Sequence, residues 1–203
     1  GDMPDDKLQS TAKNAILLRD TFDIDINEGI RGANALMKQF GLTADEAYEL
    51  MAQGAQRGLN QNQDLADQLA EYSVYYADMG YSAQEMFSII ESGTQNGVFQ
   101  VDKLNDAVKE FGIRTKDSSD STKDAFSQLN LNADELTDKF AKGGESAKTA
   151  FKQVTDALFP IKDETKQNTV GVALFGTAWE DLGTDAVKAL SQANGSLDLT
   201  ADK

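Results

Sequence analysis

Gly41-Leu42-Thr43-Ala44-Asp45-Glu46-Ala47-Tyr48 returns 39 residues later as Gly80-Tyr81-Ser82-Ala83-Gln84-Glu85-Met86-Phe87. A third version reads Asn130-Leu131-Asn132-Ala133-Asp134-Glu135-Leu136-Thr137. In each copy a small polar residue stands three places before a glutamate. That spacing suits a helix start, where the short side chain accepts from one orphan amide and the glutamate reaches back to another. Behind Thr43 the apolar stripe runs Ala44, Ala47, Tyr48, Met51, Ala55. Behind Ser82 it runs Ala83, Met86, Phe87, Ile90, with Thr94 in the last place. Both follow one face of an α-helix.

The same reading extends over the rest of the chain. It predicts helices near 5–20, 26–40, 43–57, 63–78, 82–96, 101–111, 121–129, 133–142, 145–158, 162–174 and 178–190. Gly41, Gly80 and Gly112 follow helical runs and suit the left-handed residue after a helix end. Gly54 and Gly58 recur as Gly93 and Gly97. The later glycine of each pair is expected to end its helix. For the earlier one, a fraying last turn is preferred over close helix approach. Thr177-Ala178-Trp179-Glu180 is a further match to a capping box. Strand-type alternation occurs only around Phe22-Asp23-Ile24-Asp25-Ile26. The fold class expected is all-α: a compact multi-helix domain with an internal duplication. Two copies and a truncated third do not make a regular array.

The polar stretch Lys116-Asp117-Ser118-Ser119-Asp120-Ser121 is the best internal boundary. It separates a duplicated helical region, 1–115, from a C-terminal helical region, 116–190, with 191–203 as a loose tail. The opening Gly1-Asp2-Met3 reads as a vector-derived start on a piece of something longer.

Composition removes whole classes of chemistry. The 203 residues contain no cysteine and no histidine, so thiol nucleophiles, Cys/His zinc sites and imidazole-based triads are excluded from this chain. Against 34 Asp and Glu there are 19 Lys and Arg, a net charge of −15. Gripping a phosphate backbone takes a basic surface, so no direct nucleic-acid grip is expected. Acidity that keeps the protein soluble is the plainer reading. The longest apolar run, Val170-Gly171-Val172-Ala173-Leu174-Phe175, is far short of the ~18 residues of a membrane span.

Each remaining candidate site has a plainer explanation. Asp23-Ile24-Asp25-Ile26-Asn27-Glu28-Gly29 has the look of a calcium loop. Such loops need Gly at the sixth place and Glu at the twelfth; here those places hold Glu28 and Asn34. Asp25 is better read as a helix cap. Glu91-Ser92 and Glu145-Ser146 resemble the Glu-Ser dipeptide of lytic transglycosylases, but the other motifs of those enzymes are missing. Gly143-Gly144-Glu145-Ser146-Ala147-Lys148 lacks the Gly-Lys-Ser/Thr of a phosphate loop and reads as a helix–helix turn. Tyr72 and Tyr76 share a face with Leu65 and Leu69 and are expected in the core, whereas Tyr75 is the better candidate for exposure. No carboxylate pair stands out as an acid/base couple. No catalytic, cofactor-binding or metal-ligating residue is assigned, and no cofactor.

Phe175-Gly176-Thr177-Ala178-Trp179-Glu180-Asp181-Leu182-Gly183, taken with the repeated Gly-x-x-Ala-x-Glu unit, resembles the helical region of phage tail tape measure proteins. Phe40-Gly41-Leu42-Thr43, Gly54-Ala55-Gln56, Asp106 to Arg114, and Lys142-Gly143-Gly144-Glu145 occur in the same order as similar stretches in that family. The likeness runs from about 20 to 190. It implies a non-enzymatic structural module acting in tail assembly and tail-length determination. The place implied is the interior of the tail tube in the virion, with the host cytoplasm during assembly. The partners implied are further copies of itself and the tail tube, baseplate and tail assembly chaperone proteins. A helical adaptor is the leading alternative from another class, and a muralytic segment the third. Within the box, Thr177 and Glu180 are expected to cap a helix, Leu182 to bury against the bundle with Trp179, and Gly183 to allow a turn or close packing. Trp179, the lone tryptophan, is expected to anchor the fold, its indole N–H needing a partner once buried.

Overall fold

The computed structural model describes residues 5–95 and 101–191. Among them are eleven helices and no strand. They are α1 (Asp5–Phe22), α2 (Ile26–Phe40), α3 (Ala44–Gln56), α4 (Leu65–Asp78), α5 (Ala83–Gln95), α6 (Val101–Lys116), α7 (Asp120–Gln128), α8 (Ala133–Lys142), α9 (Gly144–Leu158), α10 (Glu164–Phe175) and α11 (Thr177–Ser191). The expected alternation around Phe22–Ile26 is a connector. Ile24 is buried there, and Asp25 accepts from the amides of Asn27 and Glu28 at 2.9 and 3.1 Å to start α2.

The helix starts follow the sequence in three of four places. Thr43 Oγ1 accepts from the Glu46 amide at 3.2 Å, and Glu46 Oε2 accepts from the Thr43 amide at 2.8 Å, a complete capping box. Asn132 accepts from the Glu135 amide at 3.0 Å. Ser82 accepts from the Glu85 amide at 3.1 Å, but Glu85 turns away to Lys148 of α9, with Nζ 2.7 Å from Oε2. The fourth expectation is corrected. α11 begins at Thr177 itself, so this threonine is the first helical residue and not the cap ahead of it. Removing the Thr43 hydroxyl leaves an amide donor unpaired. Thr43→Ala should cost about 1 kcal/mol, measured by urea unfolding.

The glycines divide differently from the sequence reading. Gly41, Gly58 and Gly80 do end helices, at φ of 68°, 86° and 84°; Gly97 lies outside the described residues. Gly112 does not stop α6. The helix runs on to Lys116, because Phe111 and Thr115 are both fully buried on its inner face and the Thr122 hydroxyl donates to the Arg114 carbonyl near the helix end. Gly54 is not a fraying turn but a contact point. A Cβ there would lie 2.7 Å from the Phe87 ring, so the glycine lets α5 press against α3. Gly183 breaks α11 at φ 71° and ψ 172°.

The two repeated stretches open α3 and α5, which follow α2 and α4 in the chain. α2 and α4 make the most extensive pairing among the described helices. At Gly32 a Cβ would stand 3.1 Å from the Ala66 carbonyl oxygen, so the two backbones nearly touch. α1 covers α2 and α3 from one side. α6 packs on α4 and α5 with one face and on α8, α10 and α11 with others. One continuous apolar core results. A second junction ties the α4–α5 turn to the α8–α9 turn: a Cβ on Gly80 would fall 2.0 Å from the Gly144 carbonyl oxygen. Gly80→Ala combines the left-handed penalty with an overlap against backbone that no rotamer relieves, an expected loss of about 2–3 kcal/mol. Gly144→Ala, at φ 54° but with open space around its Cβ, should lose only about 1–2 kcal/mol. Paired denaturation curves compare the two.

Candidate functional site

The box closes α10 and opens α11. Phe175 is fully buried at the end of α10, and Gly176 turns the chain at φ 65° and ψ −155°. The space a side chain would take at Gly176 is occupied by the Arg114 guanidinium, 3.2 to 3.4 Å from an ideal Cβ. Glu110 accepts from Arg114 Nε at 3.1 Å and holds that group in place. Trp179 is 3% exposed. Its ring lies against Phe175, centroids 5.7 Å apart at 26°, and directly over Gly171. Its Nε1 donates to Asn168 Oδ1 at 3.1 Å. Asp181 reaches Lys103 of α6 at 3.1 Å. The anchoring place expected for Trp179 is therefore present, with Asn168 as the partner its indole required.

The other weighed residues have structural places. Glu91 pairs with Arg57 at 3.1 Å across α3 and α5. Glu145 is exposed at the start of α9, beside a hollow of about 200 Å³ lined by Tyr81, Lys148, Phe151 and Leu190. Gly143 and Gly144 form the turn between α8 and α9 at φ 66° and 54°. Glu91 and Glu145 stand on different helices, one in an ion pair and one exposed to solvent. An open hollow of about 740 Å³ adjoins Asp23, Asp25 and Glu28, and there Asp25 caps α2 while Asp23 accepts from Gln63 at 3.2 Å. Among the described residues no group of three or more acidic side chains is placed to hold a metal ion. No described helix is long and apolar enough to cross a membrane.

The tyrosines form a buried seam that sequence reasoning found only in part. Tyr76 donates to Asn105 Oδ1 at 2.8 Å, Asn105 Nδ2 to Gln68 Oε1 at 3.3 Å, and Tyr72 to Asp106 at 2.7 Å. These bonds fix the register of α4 against α6, since a slip would strand buried polar atoms. Tyr81 donates to the Leu190 carbonyl at 2.7 Å and holds the end of α11. Tyr75 is half-buried, with Lys109 Nζ 5.6 Å from its ring centre. Nothing local marks Asn105 or Gln68; both are ordinary helix-surface letters until the two helices meet.

Burial pushes the hydroxyls of Tyr72, Tyr76 and Tyr81 well up from the ordinary tyrosine range, with the Asp106 bond adding at Tyr72 and Glu85 adding at Tyr81. A folded-state value above the unfolded one means that the contribution to stability is whole below about pH 10 and is lost as the pH rises beyond it. Alkaline titration followed by phenolate absorbance and circular dichroism should show these tyrosines ionising together with loss of helix. Free titration of all five with the helices intact would contradict the seam. Burial also pushes the Asp102 carboxyl up, with Asp64, Asp106 and Glu71 adding their charges. Asp64 and Glu71 belong to the start and body of α4, and Asp102 and Asp106 to α6, so these charges face one another across the α4–α6 contact.

The geometry is that of a packed bundle with polar clasps. A family model described as phage-related minor tail protein matches residues 1–176. A probable tape measure protein of Streptomyces phage phiC31 is 40% identical over 161 residues, covering 75% of this chain and 22% of that protein. This chain thus spans about a fifth of the length of that relative. No solved structure matches it. The match over residues 1–176 covers most of the chain, which therefore belongs to the phage-related minor tail protein family.

Proposed function

We propose that the chain is a folded, non-enzymatic module of a tail tape measure protein, acting in tail assembly and in setting tail length inside the tail tube. The 40% identity to the phiC31 protein carries this reading. Its organisation is a duplicated region over 1–115 and a box-bearing region over 116–190. Its expected partners are further copies and the tube, baseplate and chaperone proteins, with assembly in the host cytoplasm. Folding of the described residues into eleven short helices supports a docking role over a measuring one. A ruler made of extended helix gains about 1.5 Å per residue, and this segment's helices are folded on one another.

In-frame removal of residues 20–190 from the parent gene separates the two roles. A module that docks tail components should, when deleted, leave few or no assembled tails by electron microscopy. If the segment instead counted as extended helix, tails would assemble and be shorter by roughly 250 Å. Tails of normal number and length would overturn the proposal.

A further inference from the structure

α11 is two helical pieces joined at one residue. Gly183 sits at φ 71° and ψ 172°, a combination that residues with a side chain rarely adopt. A Cβ built there would meet nothing within 4 Å. The glycine therefore serves the backbone angles of a joint, whereas Gly54 and Gly171 serve close approach. On one side of the joint, 177–182 is tied down. Trp179 is buried over Gly171 and donates to Asn168 at 3.1 Å, and Asp181 reaches Lys103 of α6 at 3.1 Å.

The other side, 184–191, is held differently. Val187 and Leu190 stand three apart on one helix face, and both are buried. Tyr81, in the turn between α4 and α5, donates to the Leu190 carbonyl at 2.7 Å. Lys188 Nζ stands 5.9 Å from the centre of the Phe159 ring. Packing at this end is incomplete. Leu190 and Ser191 line the hollow of about 200 Å³, together with Tyr81, Lys148 and Phe151. Atoms that face such a space have no partner across it and forfeit those dispersion contacts. The first piece of α11 is thus clasped into the box, and the second borders a void.

We propose that 184–191 is a strap that lifts from α9 and the α4–α5 turn as one piece, pivoting at Gly183, while 177–182 and the rest of the core stay folded. The Tyr81 hydroxyl is its catch. Lifting breaks the bond to the Leu190 carbonyl, widens the hollow and brings Val187, Leu190 and the Phe151 side of the hollow into water. Only a few side chains are rehydrated, so the cost lies far below that of global unfolding. The closed module therefore hides an apolar site that can be uncovered without unfolding. The proposal does not rest on the tail role.

Hydrogen exchange at single amides of the 203-residue chain reads the strap directly. Amides of 188–191 should exchange together, about a hundredfold or more faster than those of 179–182 and of 107–112 in α6. Tyr81→Phe keeps the ring and removes the catch. It should speed 188–191 by about fivefold and leave 179–182 unchanged. Gly183→Ala cannot hold the angles of the joint without strain. It should speed 188–191 by about tenfold or more, with 179–182 and the Trp179 fluorescence unchanged. Equal protection of the two pieces, or a gradient fading inward from 191 as in simple end fraying, would overturn the proposal. So would an effect of either variant spread evenly over both pieces, or no effect of either on 188–191.

Discussion

Phe111→Ala should be among the most damaging single changes in this protein, lowering stability by about 3–5 kcal/mol. Phe111 is fully buried on α6 and touches three other rings: Phe140 of α8 at 5.3 Å, Phe151 of α9 at 4.9 Å and Phe175 of α10 at 4.8 Å between centroids. Two contacts are edge-on, at 81° and 88°, the favourable arrangement for ring quadrupoles. Each neighbour comes from a different helix, so no single movement closes the cavity that alanine leaves. A loss of this size should lower the melting temperature by about 6–20 °C in a chain of this length. Ile113→Ala supplies the contrast. It lies two residues along the same helix and is 48% exposed, so its effect should stay within about 0.5 kcal/mol. Equal losses from the two would mean that the aromatic cluster does not hold the helices together.

Helix existence was legible because its signals are local. Thr43/Glu46, Asn132/Glu135 and Asp25 each act within a few residues, and the apolar stripes give the period directly. The structure keeps all eleven expected helices, most bounds shifting by one or two residues. The misses share one cause, in that tertiary contact decided a locally ambiguous letter. Glycine is the plainest case. Gly41 and Gly54 look alike in sequence, but one takes a left-handed turn and the other makes room for the Phe87 ring. Gly112 follows a helical run as Gly41 does, and the helix passes through it because Phe111 before it and Thr115 beyond it are both buried in the core. Glu85 repeats Glu46 and has the same cap available, yet it pairs with Lys148, 63 residues away in sequence.

The box shows the same division. Its letters pointed to the family and to Trp179 as an anchor. They could not point to Asn168 or Gly171, which meet the indole only because Gly176 folds α11 back beside α10. A buried tryptophan predicts that some acceptor exists; which one depends on a turn that brings together residues 11 apart. The acidic hollow by Asp23 and Asp25 is the reverse case. There the local letters sufficed: the calcium-loop pattern fails at Glu28 and Asn34, Asp25 is read as a helix cap, and the observed bonds use it to begin α2.

Trp179→Ala should cost about 3–5 kcal/mol, since it empties a buried site and leaves Asn168 without its donor. Gly171→Ala tests whether close approach is the reason. By helix propensity alone, alanine at 171 should stabilise α10 by about 1 kcal/mol. Packing opposes it, because an ideal Cβ would lie 2.1, 2.3 and 2.6 Å from Cε2, Cδ2 and Nε1 of Trp179. The indole is rigid and has Phe175 beside it, so it must tilt and give up its bond to Asn168. Packing should win, with a net loss of about 2 kcal/mol. The double variant decides between explanations. With the ring gone the Cβ has room, and Gly171→Ala in the Trp179→Ala background should be neutral or stabilising by up to about 1 kcal/mol. The coupling energy would then be about 2–3 kcal/mol, far outside the 0.5 kcal/mol or so within which independent sites add. Additivity in that cycle would show that the glycine serves the backbone of α10 alone. The turn at Gly176 would then hold Trp179 in place without help from the helix beneath it.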